Sequence, residues 1–159
     1  MTLGLVLLSV IAFASPAFAQ RPVEGYVSGG VGSWSNNFNS GALFGGAGGV
    51  EGRVAPHVGI GGEVGTFTTI RGDLLLSVGV DGRAHFGSPQ ASGQWSPYVL
   101  AGYSRLTSFE QSDNALQFGV GADYRTGPHR GVRLELRDLV RQSGVTSHYW
   151  TVRLGLTFR

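Results

Sequence analysis

The chain reads as an all-β protein, an eight-stranded antiparallel up-and-down transmembrane β-barrel preceded by a cleavable signal peptide. Three observations carry that reading. Apolar and polar residues alternate with period two in eight stretches. The connections between those stretches are of two kinds, and the two kinds alternate along the chain. No stretch beyond the leader reaches the ~18 consecutive apolar residues of a membrane helix. Composition agrees. Of 159 residues 27 are glycine, more than twice the usual share of ~7%, with neither the three-residue period nor the proline content of collagen. A hydrophobic content of 42% argues against disorder. Cysteine is absent, which excludes disulfides, thiolate metal sites and a cysteine nucleophile. All 12 cationic side chains are arginine, so no P-loop lysine exists. A net charge of +2 with interspersed signs is no nucleic-acid signature.

Residues 1–19 read as a secretory signal peptide. Leu3–Ala14 is almost wholly apolar but too short to span a bilayer, and Ala17-Phe18-Ala19 supplies the small-x-small cleavage pattern before Gln20. Cleavage between Ala19 and Gln20 leaves residues 20–159 as one exported barrel domain.

The pattern predicts strands near 23–34, 41–54, 57–67, 73–86, 97–108, 114–126, 131–141 and 147–158. In the second and third, Phe44, Val50, Val54, Val58, Ile60 and Val64 oppose Glu51, Arg53 and Glu63. The fourth sets Leu74, Leu76, Val78, Val80, Ala84 and Phe86 against Ser77, Gly79, Asp81, Arg83 and His85. In the sixth, Leu116, Phe118, Val120, Ala122 and Tyr124 oppose Gln117, Asp123 and Arg125. The seventh puts Val132, Leu134 and Leu136 opposite Arg133, Glu135 and Arg137. The eighth is the clearest, with Trp150, Val152, Leu154, Leu156 and Phe158 opposite Thr151, Arg153 and Thr157. Strands one and five leave both faces open, because Tyr26 and Tyr103 do not settle which face is apolar.

A soluble sandwich also alternates, so the decision rests on the connections. Pro56, Pro89, Pro97 and Pro128 fall in or beside alternate connections, while the others hold polar runs such as Ser35–Ser40 and Glu110–Asp113. An up-and-down barrel places alternate connections at opposite ends, which accounts for the segregation. Aromatic residues gather toward both ends: Trp34, Phe44, Phe67, Phe109 and Trp150 at the polar rim, Phe86, Tyr98, Tyr124 and Phe158 at the proline rim. Two aromatic belts flanking an apolar band mark an outer-membrane barrel. Eight strands close around a space just wide enough for side chains, so the charges opposite the apolar face line a filled lumen. That lumen set is Glu51, Arg53, Glu63, Asp81, Arg83, Asp123, Arg125, Arg133, Glu135, Arg137 and Arg153. Charges in a closed lumen require partners. A turn at Pro128 sets Asp123 facing Arg133, and a loop at Gly144 sets Glu135 facing Arg153.

The tail Gly131–Leu139, followed by His148–Phe158, resembles the last hairpin of small outer-membrane β-barrel proteins of the OmpA-transmembrane-domain and OmpX type. The leader, the glycine-rich first hairpin and Pro97-Tyr98 opening the fifth strand fit the same family. The resemblance implies residence in the bacterial outer membrane, contact with its lipids, and assembly by the barrel-assembly machinery. It also implies that Phe158 is the terminal aromatic shown to that machinery, here followed by Arg159.

Candidate chemistry is thin. Glycine pairs such as Gly30-Val31-Gly32 and Gly119-Val120-Gly121 complete no phosphate-binding motif, and strand glycine explains them. His57, His85, His129 and His148 have no ligand spacing, so no metal and no cofactor is expected. Outer-membrane lipid A deacylases resemble this chain in size but carry a His-x-Ser-Asn run that is missing here. Asp138, Ser143 and His148 could meet at the polar rim as a triad, although nothing in the sequence orients the imidazole. The expectation is a monomeric, non-enzymatic envelope barrel with a structural or surface-interaction role. Its alternatives are a lipid-modifying hydrolase, a soluble lipocalin-like carrier and a gated ion path. The sequence names no extracellular or host ligand.

Overall fold

The computed structural model describes residues 23–70, 72–87, 93–108, 111–143 and 145–159, with the side chains of residues 142 and 143 set aside. The signal peptide, the Ala19–Gln20 junction, Pro89 and Phe109 lie outside the described residues. Eight strands follow in order: β1 (Val23–Ser35), β2 (Ser40–Ala55), β3 (Val58–Thr69), β4 (Leu74–His85), β5 (Trp95–Thr107), β6 (Ser112–Arg125), β7 (Arg130–Ser143) and β8 (Val145–Phe158). Each pairs antiparallel with the next, and β1 pairs with β8 to close the barrel. Closure removes both sheet edges, as hydrocarbon requires. With 12 to 16 residues, the strands exceed the ~9–11 needed to cross a bilayer and so carry both rims into the interfaces.

Side chains alternate as period two dictates. Val27, Ile60, Val80, Val120, Leu136 and Val152 all point outward and are exposed, and Leu154 is 62% exposed. Every predicted lumen charge is buried inside. This wall is inverted relative to a soluble carrier, whose interior would be apolar.

Strands one and five resolve in the same sense. Even-numbered residues face inward in both, so Tyr26 and Tyr98 are buried while Tyr103 is exposed on the wall. The aromatic belts need correcting accordingly. Trp34, Phe67 and Tyr98 face inward. Phe44, Trp150, Phe86 and Phe158 are exposed on the wall, joined there by Trp95 and Phe118. Trp95 packs against Tyr124 at the proline rim, with ring centroids 5.0 Å apart.

The interior has two tiers. Toward the rim that carries the loops between β1–β2, β3–β4, β5–β6 and β7–β8, Leu43, Phe67, Leu106, Ala115, Leu139 and Tyr149 form an apolar plug with Trp34 and Leu75 packed on it. Toward the rim that carries both chain ends lies the charged network. A uniformly polar lumen was the expectation. The plug arises where inward positions of β2, β5, β6 and β7 happen to be Leu or Ala.

The two halves of the barrel repeat one another at an offset of 72 residues. Tyr26 opposite Gly49 in β1–β2 recurs as Tyr98 opposite Gly121 in β5–β6. Glu51 opposite Gly61 in β2–β3 recurs as Asp123 opposite Arg133 in β6–β7. Pro56-His57 in one turn matches Pro128-His129 in the other, and Glu63 matches Glu135. One junction departs: Thr66 faces Leu76 in β3–β4, whereas Asp138 faces Trp150 in β7–β8, two residues beyond the equivalent His148.

Candidate functional site

At the centre of the charged tier two guanidinium groups lie between two tyrosine rings. Arg133 sits 4.5 Å from the Tyr26 ring centroid and 5.2 Å from that of Tyr98, and Arg83 sits 4.9 and 5.7 Å from the same rings. Cation–π attraction is stronger where both groups are stripped of water. The rings reach the axis because each lies over a glycine. A Cβ on Gly49 would stand 2.5 Å from the Tyr26 hydroxyl oxygen, and one on Gly121 would stand 2.5 Å from that of Tyr98.

Carboxylates then pair with the guanidiniums. Arg83 is held by Asp81 in a two-pronged contact of 2.7 and 3.2 Å, and reaches Glu51 at 3.1 Å and the Tyr26 hydroxyl at 2.9 Å. Neighbouring inward positions on one strand are two apart, so Asp81 and Arg83 fork together without leaving β4. Arg133 is gripped likewise by Asp123 at 2.7 and 3.1 Å and touches Glu24 at 3.2 Å. Arg137 bonds Glu135 at 2.8 Å, Glu63 at 3.0 Å and Gln117 at 3.0 Å. Toward the terminal rim Glu24 binds Arg125 at 2.9 Å and Arg159 at 3.0 Å.

Glu135 and Arg153 are register partners, but their side chains approach only to 3.9 Å. Arg153 instead bonds Glu63 at 2.7 Å on the far side of the lumen. The cause is reach: an inward arginine in a narrow barrel spans the axis, so its partner need not lie on the adjoining strand. His85 joins two groups. Its Nε2 is 2.8 Å from Glu51 and its Nδ1 is 3.4 Å from Arg53 Nη2. A guanidinium can only donate, so Nδ1 accepts and the proton rides on Nε2, which donates to Glu51.

Glu24, Tyr26 and Tyr98 were absent from the predicted set. Their signal was positional: each lies an even number of residues from Ser28 or Leu100 on the inward row, but small neighbours blurred the face. All described members of the predicted set join this one network or its immediate rim. Above it the plug forms the floor of a hollow of about 420 Å³ at the loop rim, walled by Trp34, Leu75 and Tyr149 with Thr69 and Asp73 at its edge.

A second polar feature lies on the outer wall. Asp138 continues the outward row Val132, Leu134, Leu136, and its Oδ2 accepts a 2.8 Å hydrogen bond from His148 Nδ1. The imidazole is therefore oriented by a carboxylate, contrary to the sequence-based expectation. The proposed third member, Ser143, has its side chain outside the described residues.

A closed eight-stranded barrel with an apolar wall, aromatic rims and an ion-paired lumen defines a small integral outer-membrane protein. The chain belongs to the outer membrane protein beta-barrel domain family, whose model matches residues 5–158. Among solved structures it resembles Neisserial surface protein A, with a TM-score of 0.72 at 14% identity, covering 86% of this chain and 95% of that one. It also resembles the N-terminal β-barrel domain of Pseudomonas aeruginosa OprF (TM-score 0.62, 18% identity, 87% and 98% covered). A third likeness is to Ail, the attachment invasion locus protein of Yersinia pestis (TM-score 0.53, 17% identity, 86% and 98% covered). A search of the curated proteins finds no match. At these identities the solved structures speak to the fold, and the family match places the chain in the outer membrane of a Gram-negative envelope.

Proposed function

We propose that this protein is a non-enzymatic structural barrel of the outer membrane, monomeric and sealed to ions, with its loop rim outward and its terminal rim toward the periplasm. The observation that carries this reading is the Tyr26–Arg83–Arg133–Tyr98 stack across the lumen, cross-linked by carboxylates and capped by the apolar plug. Moving an ion through it would require parting buried pairs in a low dielectric. The loop-rim connections are short, four residues or fewer, at residues 36–39, 70–73, 108–111 and 144. That favours structure over an adhesive surface built from long loops. The leader directs export and is cleaved between Ala19 and Gln20, and Phe158, exposed at the end of β8, serves as the assembly signal.

Planar-bilayer recording of detergent-folded protein tests the seal. Silence is expected, and steady conductance steps would overturn it in favour of the gated ion path. The hydrolase reading has one observation in its favour, the Asp138–His148 contact. Mass spectrometry of lipid A from expressing cells tests it, and an unchanged acyl pattern is expected.

A further inference from the structure

We propose that Asp138 and His148 form a binding site on the outer wall for an ammonium-bearing lipid headgroup in the leaflet at the loop rim. Every lumen carboxylate touches an arginine, whereas Asp138 bonds the imidazole of His148 and stands on the lipid side. Its neighbours on that face are Leu136 and Val140 along β7, Phe118 on β6 and Trp150 on β8. The carboxylate side chain is nine-tenths buried among them, at 10% exposure, and its Oδ1 is buried without a hydrogen-bond partner. A charged group at this depth on a lipid face is costly and calls for a counter-charge.

The geometry says where that charge comes from. Asp138 binds His148 through Nδ1, which leaves the other ring nitrogen, Nε2, outside that bond. The His148 side chain is 42% exposed, and Ser35 of β1 is its direct register partner. Asp138 Oδ1 and the Ser35 hydroxyl oxygen are acceptors on this face, and so is His148 Nε2 when the imidazole carries its single proton on Nδ1. An N–H-bearing cation satisfies all three.

The first half of the barrel builds the equivalent stretch of wall without such a pair. At the equivalent positions of the first half stand Thr66 and Leu76, which pair on the same outward face. One half thus closes its wall with a hydroxyl and a hydrocarbon, where the other buries an acid beneath an imidazole.

The repeat also supplies the test. Asp138→Thr/His148→Leu gives the second half the residues of the first, so folding should survive. Protein in nanodiscs of mixed phosphatidylethanolamine, phosphatidylcholine and phosphatidylglycerol is released into native mass spectrometry, and the retained lipids are counted. The first two headgroups carry the same charges, but only phosphatidylethanolamine has N–H donors. The unaltered protein should retain phosphatidylethanolamine by about fivefold, the factor that one net hydrogen bond of ~1 kcal/mol gives, and the double variant should lose the preference. Equal retention of the first two lipids, or a preference that survives the double variant, would overturn the site. So would equal retention of phosphatidylglycerol, which would mark an anion site. Lysophospholipid in the spectrum would instead assign the pair to hydrolysis.

Discussion

Tyr26 donates its hydroxyl proton to Glu63 at 2.9 Å, and Tyr98 does the same to Glu135 at 2.7 Å. In each half the bond links the first strand to the third, over the glycine of the second. Two equivalent tyrosine–glutamate struts therefore brace the lumen from opposite walls, with Arg83 and Arg133 between them.

Glu63 is the better connected of the two strut acids, since it accepts from Tyr26, Arg137 and Arg153. Glu63→Ala should leave two buried arginines short of a partner and destabilise the barrel by ~3–5 kcal/mol. The urea midpoint in detergent micelles checks this. Glu135→Ala, which leaves Arg153 its 2.7 Å bond to Glu63, should cost less. Equal midpoints would contradict the cross-lumen pairing.

The glycine under Tyr98 gives a steric test. Gly121→Ala puts a methyl group within 2.5 Å of the ring and should cost ~1–3 kcal/mol through forced displacement of Tyr98. Gly52→Ala, where a Cβ meets nothing within 4 Å, should be neutral in the same measurement.

On the lipid face, Leu154→Arg should impair folding into vesicles by ~2–4 kcal/mol. Leu154→Ala should be tolerated, because the wall stays apolar and no packed cavity opens around a side chain that is 62% exposed. In a barrel with an apolar core the alanine would instead cost ~2–5 kcal/mol. Kinetics of insertion followed by tryptophan fluorescence would compare the two.

The repeat predicts that chain order is dispensable. A permutant that starts at Trp95, runs to Arg159, and continues through a short flexible linker into Val23–His85 keeps all eight pairings. It should refold in micelles to the same β-sheet circular dichroism. Failure to recover that signal would show that the halves are not interchangeable in assembly order.

Much of this is legible in the amino-acid sequence. All eight strands end within two residues of the positions that alternation indicates, because a wall facing lipid on one side and charge on the other leaves little freedom of register. What escaped was whatever depends on distance across the lumen. Tyr26 sits among Gly, Val and Ser, and Tyr98 between Ser96-Pro97 and Val99-Leu100, so alternation could not decide their face. Their partners, 37 residues on, decide it. Trp34 and Phe67 looked like belt residues because proximity to a rim says nothing about inward or outward. Asp138 and His148 were brought together by the sequence as members of a rim triad but not as a pair on the lipid-facing wall, since both lie just past the runs that read as lipid-facing.

The repeated halves differ most in charge. Within the lumen β1–β4 contribute Glu24, Glu51, Glu63 and Asp81 against Arg53 and Arg83, while β5–β8 contribute Asp123 and Glu135 against Arg125, Arg133, Arg137 and Arg153. Where one half brings a long arginine to the axis, the other leaves space: Arg83 answers to Gly155, Arg133 to Gly61 and Arg137 to Gly65. Two copies of the first half would enclose an excess of bare carboxylates, and two copies of the second an excess of bare guanidiniums. The polypeptide is in effect a heterodimer written as one chain, whose halves share a backbone plan but are complementary as an acid is to a base, so that neither can close a barrel with its own duplicate.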